Sequence, residues 1–193
     1  MELIILVVAT AVLALTLNAI KDARDKRGGT GQWKEHGPRP TNERVAHVER
    51  SRDLYLQGVH AFLGGHREEA QRLWRESAGM GHLRAFTGLG IYEYAEGRPW
   101  GVTAHWMRAA EGGDTAAQIL DDIKGDQAMH DLGHGHAAPP VSVMEFADAY
   151  LGAEGRRDLD SVHLVIGTAL HYGYKDFANE WARTRDIRSS HSR

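Results

Sequence analysis

The sequence contains no cysteine. Disulfide scaffolds, zinc–cysteine sites and cysteine nucleophiles are therefore excluded, although the redox compartment is not fixed by this absence. A large charge of one sign is missing too: the formal net charge is −3. That argues against a nucleic-acid binder working through bulk positive charge. The common enzyme signatures are also absent. There is no Gly-x-Ser-x-Gly elbow, no phosphate loop and no calcium loop. Gly88-Leu89-Gly90 lacks the third glycine of a dinucleotide site and reads better as close helix packing. Glu68, Glu69, Glu76, Asp121 and Asp122 read as solvated helix faces. What remains is an ordinary globular composition, 42% hydrophobic and 25% charged. Arginine outnumbers lysine, and alanine and glycine are frequent, which suggests a GC-rich, bacterial genome.

The first long feature is Leu3 to Ile20, uncharged, with Thr10, Thr16 and Asn18 its only polar members. At about 1.5 Å per residue such a helix reaches roughly 27–30 Å, enough for a bilayer core. No basic leader precedes it and no small-x-small site follows it, so an uncleaved anchor is expected; a cleaved signal and a buried helix are the alternatives. Lys21, Arg24, Lys26 and Arg27 follow directly, which places the downstream domain in the cytoplasm. Residues 28 to 40 hold four glycines and two prolines and read as a flexible tether, with Trp33 suited to a lipid interface.

A helical domain should begin near Thr41-Asn42. Val45, Val48, Tyr55, Leu56, Val59, Phe62 and Leu63 mark one face of a helix that Gly64-Gly65 ends. A second helix turns Ala70, Leu73, Trp74, Ser77 and Ala78 inward and stops at Gly79 and Gly81. Thirty-two residues on, Gly58 meets Gly90, Gly65 meets Gly97 and Trp74 meets Trp106; Ala78 meets Ala110, Gly81 meets Gly113 and Ala85 meets Ala117. Small residues where helices approach, tryptophan between successive pairs and glycine at each turn together indicate stacked helix pairs. Pro99 suits the first turn of the second copy's second helix.

The stretch Leu89-Gly90-Ile91-Tyr92, Gly97, Trp106 to Gly113 and Ala116-Ala117 resembles a Sel1-like repeat. The first copy is more similar to a tetratricopeptide repeat, with Gly58, Ala70, Trp74 and Ser77 at that family's small and bulky positions. The loop Glu96 to Trp100 is shorter than the Sel1-like pattern and lacks its acidic residue. The resemblance spans residues 54 to 117 and implies a right-handed superhelix of helix pairs. It also implies a concave groove lined by the first helix of each pair, here Arg52, Tyr55, Val59, Phe62, Arg84, Thr87, Ile91 and Tyr94. Arginines and tyrosines on such a wall suit capture of a peptide or its carboxylate.

Beyond residue 117 the register fades. Asp114 can cap a helix through Ile119, Leu120 and Ile123, after which Gly125 to Pro140 reads as loop. Ser142-Val143-Met144-Glu145 is a capping box opening a helix with Phe146, Ala149, Tyr150 and Leu151. Helices from about Asp158 to Tyr172 and Asp176 to Ile187 complete a degenerate third pair or cap. His130, Asp131, His134 and His136 form the one candidate metal cluster, but they lack helix-borne ligand spacing.

The expectation is thus an all-α protein with a transmembrane anchor (1–20) and a basic then Gly/Pro-rich linker (21–40). A repeat region (41–123, copies 54–85 and 86–117), a His-containing loop (124–141), C-terminal helices (142–188) and a tail (189–193) follow. The expected function is that of a non-enzymatic adaptor, without cofactor, binding a protein or peptide at the inner face of a bacterial inner membrane. Alternatives are a metal-binding or otherwise unrecognised enzyme built on the His130–His136 loop, and a periplasmic or secreted repeat protein.

Overall fold

A computed structural model describes residues 42–133, 137–155 and 158–185, apart from the side chains of residues 99 and 100. The described residues form eight helices and no strand: α1 (Asn42–Leu63), α2 (Arg67–Gly79), α3 (Leu83–Ala95), α4 (Pro99–Glu111), α5 (Thr115–Asp131), α6 (Val143–Gly155), α7 (Leu159–His171) and α8 (Lys175–Thr184). All belong to one unit, Pro40–Arg193. The apolar run 3–20, the linker with Trp33, His134, His136 and the expected helix end at Ile187 lie outside the described residues. Among the described residues no helix is long and apolar enough to cross a membrane.

The 32-residue period recurs in the backbone itself. At the end of α1 the amide of Gly64 donates to His60, Gly65 to Phe62 and His66 to Ala61; at the end of α3, Glu96 donates to Tyr92, Gly97 to Tyr94 and Arg98 to Glu93. The turns after α2 and α4 match in the same way: Met80 to Glu76, Gly81 to Ala78 and His82 to Ser77, then Gly112 to Arg108, Gly113 to Ala110 and Asp114 to Ala109. Each turn needs one left-handed residue, and glycine supplies it at Gly65, Gly81, Gly97 and Gly113, with φ between 67° and 95°.

Tryptophan sets how closely the helices approach. Trp74 Nε1 donates to the Tyr55 carbonyl (3.1 Å), and Trp106 Nε1 donates to the Thr87 carbonyl (3.3 Å), again one period apart. Both indoles are fully buried. A Cβ on Gly58 would stand 2.6 Å from Trp74 Cδ1, and one on Gly88 would stand 2.6 Å from Trp74 Cε2. Trp74 therefore lies between α1 and α3 with glycine on both sides. A Cβ on Gly90 would collide with Trp106 in the same manner. Leu120 occupies the register position of Gly88, so the second socket is not repeated above Trp106.

The third unit departs from the period by one helical turn. Met129 stands where the register calls for a turn glycine, and the positive-φ residue comes later, at Gly133 (φ 72°). The loop expected from Gly125 is accordingly helical as far as Asp131. Gly125 stays within the helix because its neighbours are held: Ile123 is buried, and Lys124 Nζ donates to Thr103 Oγ1 at 2.9 Å. Asp114 caps α5 as expected, accepting from the Ala116 amide. The capping box before α6 is also present: Ser142 N donates to Glu145 Oε2 (2.7 Å), and Glu145 N donates to Ser142 Oγ (3.2 Å).

The core runs through all eight helices and centres on α6. Val143, Phe146, Ala147, Ala149, Tyr150, Leu151, Gly152 and Ala153 are all buried there. Helix α6 packs against α1, α3, α5 and α7.

Gly58→Ala should destabilise the protein by about 1–3 kcal/mol, because the indole it meets is itself locked in the core. Gly125→Ala, where an added Cβ meets nothing within 4 Å, should instead stabilise it by about 0.5–1 kcal/mol. Urea unfolding of the two variants checks this; equal effects would remove the packing explanation.

Candidate functional site

The eight residues expected to line an open groove divide into two groups. Tyr55, Val59, Phe62, Thr87 and Ile91 are buried, and Tyr94 is half-buried and stacked on Trp106. At Tyr55 and Val59 this wall meets the protein's own helix α6, which also packs against α3. Tyr55 Oη donates to Tyr150 Oη at 3.5 Å, and a Cβ on Gly155 would stand 3.0 Å from Val59 Cγ1. A peptide laid along this wall would have to displace a helix of the hydrophobic core. Arg52 and Arg84 remain exposed, at the end of the wall nearest the termini of α6 and α8.

Those two arginines border a cleft of about 430 Å³ between α1, α3, α6, α7 and the end of α8. Glu154 stands in it with only 7% of its side chain exposed. Its two oxygens are divided between two guanidiniums: Arg84 Nη1 to Oε2 at 3.1 Å, and Arg185 Nη2 to Oε1 at 2.5 Å. Arg185 is in turn held over the Trp181 ring, its Cζ 3.5 Å from the centroid. Cation–π contact and ion pair together fix its direction. Arg52 has no ion-pair partner among the described residues. Leu56, Leu159 and Val162 add apolar side chains.

Behind Arg84 lies a polar group drawn into the core. Thr87 Oγ1 donates to Asp114 Oδ2 (2.5 Å), and the other oxygen of Asp114 caps α5. Burial pushes the Asp114 carboxyl above its usual range against these two hydrogen bonds. His82, whose ring lies 5.0 Å from that of Tyr55, is shifted the other way. Burial lowers its pKa, and Arg84 and Arg52 lower it further, while Glu154 opposes them.

Of the candidate metal cluster only His130 and Asp131 lie among the described residues, where no group of three metal-ligating side chains is found. His130 and Asp131 sit exposed at the end of α5, their side chains 3.4 Å apart. Glu68, Glu69, Asp121 and Asp122 are exposed as expected, Asp122 accepting from Tyr174 Oη at 2.8 Å, and Glu76 is half-buried.

Glu154 and Arg185 were not singled out from the sequence. One signal was available for α6: its apolar residues occur on more than one face, which marks a helix covered on several sides. Nothing local announces Arg185, whose position depends on tertiary packing.

Comparison with protein-family models, with curated proteins and with solved structures finds no match to this chain.

The lowered pKa of His82 has a definite sign in stability. The unfolded chain takes up the proton near the ordinary value of 6.5, and the folded protein only at lower pH. Stability should therefore fall as pH drops below about 6.5. His82→Asn, which retains a good residue for the start of α3, should reduce this loss. Denaturation midpoints between pH 7 and pH 5 test it; parallel curves for both proteins would contradict the assignment.

Proposed function

We propose that the chain is a helical-repeat scaffold of the α-solenoid type, similar to tetratricopeptide and Sel1-like stacks, that binds a protein partner. Segment 3–20 tethers it to a bacterial inner membrane with the helical domain in the cytoplasm. The observation that carries the scaffold reading is the recurrence of whole turns and of the tryptophan–glycine contact at 32 residues. Such repetition belongs to proteins that extend a surface by stacking one unit on the next. The tether rests on the apolar run and on the basic residues that follow it. Anchoring a binding module to a surface raises its effective concentration toward partners on the same surface.

Helix α6 packs on the wall that a tetratricopeptide-like stack would leave open, so the partner would meet the rim of the domain. Arg52 and Arg84 are the groove residues still exposed there. Arg52 is the better probe because no ion pair among the described residues depends on it.

Full-length protein should remain in the membrane pellet through alkaline carbonate washing, and a 41–193 fragment should be released. Release of the full-length chain would overturn the tether. Processing to a shorter, soluble extracytoplasmic form would favour the cleaved-signal alternative. Partners co-purified from membranes should be depleted roughly tenfold by Arg52→Glu, equivalent to about 1.4 kcal/mol. An unchanged partner set with the variant folded would remove Arg52 from the interface.

A further inference from the structure

We infer that the cleft around Glu154 is a binding site for a small organic anion, an oxyanion head carried on a short aliphatic body. This goes beyond the adaptor reading and does not rest on it. Among the described residues three guanidiniums, Arg52, Arg84 and Arg185, line the cleft with one carboxylate, Glu154, so this described lining carries two positive charges in excess. Arg84 and Arg185 each give one N–H to Glu154, Arg185 gives another to Thr184 Oγ1, and both retain further donors. Arg52 makes no ion pair among the described residues.

The arrangement is organised before any ligand arrives. Glu154 holds Arg84 and Arg185 from opposite oxygens, and the Trp181 face supports Arg185 from behind. Glu154 thus serves as a spacer that keeps two like charges near each other without satisfying both. Asp114, the next acidic group inward, is occupied by Thr87 and the Ala116 amide and is pushed toward its neutral form by burial. Its charge acts on Arg84 through space, without a direct ion pair to a guanidinium among the described residues. The planar guanidinium fork matches the oxygens of a carboxylate or a phosphate.

The lining also includes apolar side chains. Leu56, Leu159 and Val162 would contact a short hydrocarbon and offer nothing to a bare inorganic ion. The volume, about 430 Å³, lies within the roughly 300–1,000 Å³ of small-molecule sites. Charge selects the head, and the apolar side chains select for a body attached to it.

Ligand-observed NMR titrations of the full-length protein in detergent, with micelles alone as the blank, test the proposal. The probes are isovalerate, isoamyl phosphate, isoamyl alcohol and inorganic phosphate. At least one of the two organic anions should bind about tenfold or more tightly than either the alcohol or inorganic phosphate. The tighter of the two identifies the head. Arg52→Ala should weaken that binding about tenfold with the unfolding midpoint unchanged. Leu159→Glu, which brings a carboxylate to the exposed edge of the cleft, should also weaken it. Equal binding of the alcohol would overturn the proposal by making charge irrelevant. Equal binding of inorganic phosphate would reduce the site to a charged patch and also overturn it. Undiminished binding in both folded variants would place the ligand elsewhere.

Discussion

The contact between a buried tryptophan and a glycine on a neighbouring helix sets the spacing of the first two helix pairs. An indole is too large to be fully buried between two ordinary helices unless a side chain is removed to admit it. Gly58 and Gly88 remove one on each side of Trp74, and Gly90 does so for Trp106. The indole N–H would be costly to bury unsatisfied. It is directed to a carbonyl one helix away, Tyr55 for Trp74 and Thr87 for Trp106. Shape and hydrogen bonding therefore select the same separation and the same register. The register in turn places the glycine turns, because each helix must end where the next can return alongside it.

The stack would be incomplete with those pairs alone. Their first helices bury Tyr55, Val59, Thr87 and Ile91, and α6 packs on those helices, meeting Tyr55 through Tyr150 and Val59 at Gly155. The helix is reached through a third unit whose turn comes late, at Gly133, and through the segment leading to the capping box at Ser142. Closure puts Glu154, at the end of α6, next to Arg84 of α3 and Arg185 beyond α8. One packing event thereby fills the groove, completes the core and creates the arginine-lined cleft. The Glu154–Arg185 pair is mostly withdrawn from solvent, and removing one partner of such a pair leaves the other charge uncompensated. Glu154 therefore contributes to holding these elements together while it positions the two guanidiniums.

Features governed by local chemistry were legible in the sequence. The ends of α1 and α2, the capping box, the cap at Asp114 and the two-copy period all follow from glycine, serine, aspartate and tryptophan at fixed offsets. The close-packing reading of Gly88 and Gly90 has the same basis. Gly125 was harder to place, because a glycine alone does not distinguish a helix end from a helix interior. That distinction depends on whether the next turn is held, here by Ile123 and by Lys124 with Thr103. The groove raised a different difficulty. Arg52 and Tyr55 stand three residues apart on one helix, yet one reaches solvent and the other is sealed beneath Tyr150. Only the path of a helix about a hundred residues further along the chain decides which, and no local pattern encodes that path. Arg185 entered the cleft for the same reason.

The most direct test of the tryptophan–glycine account is a double-mutant cycle in urea on Gly90→Ala, Trp106→Leu and the combined variant. If the indole is what excludes a side chain at position 90, replacing it should remove most of the cost of the alanine. The coupling energy should then reach about 1 kcal/mol or more, as for residues sharing one packed contact. Additive losses, within about 0.3–0.5 kcal/mol, would show that Gly90 and Trp106 act independently and would contradict the account.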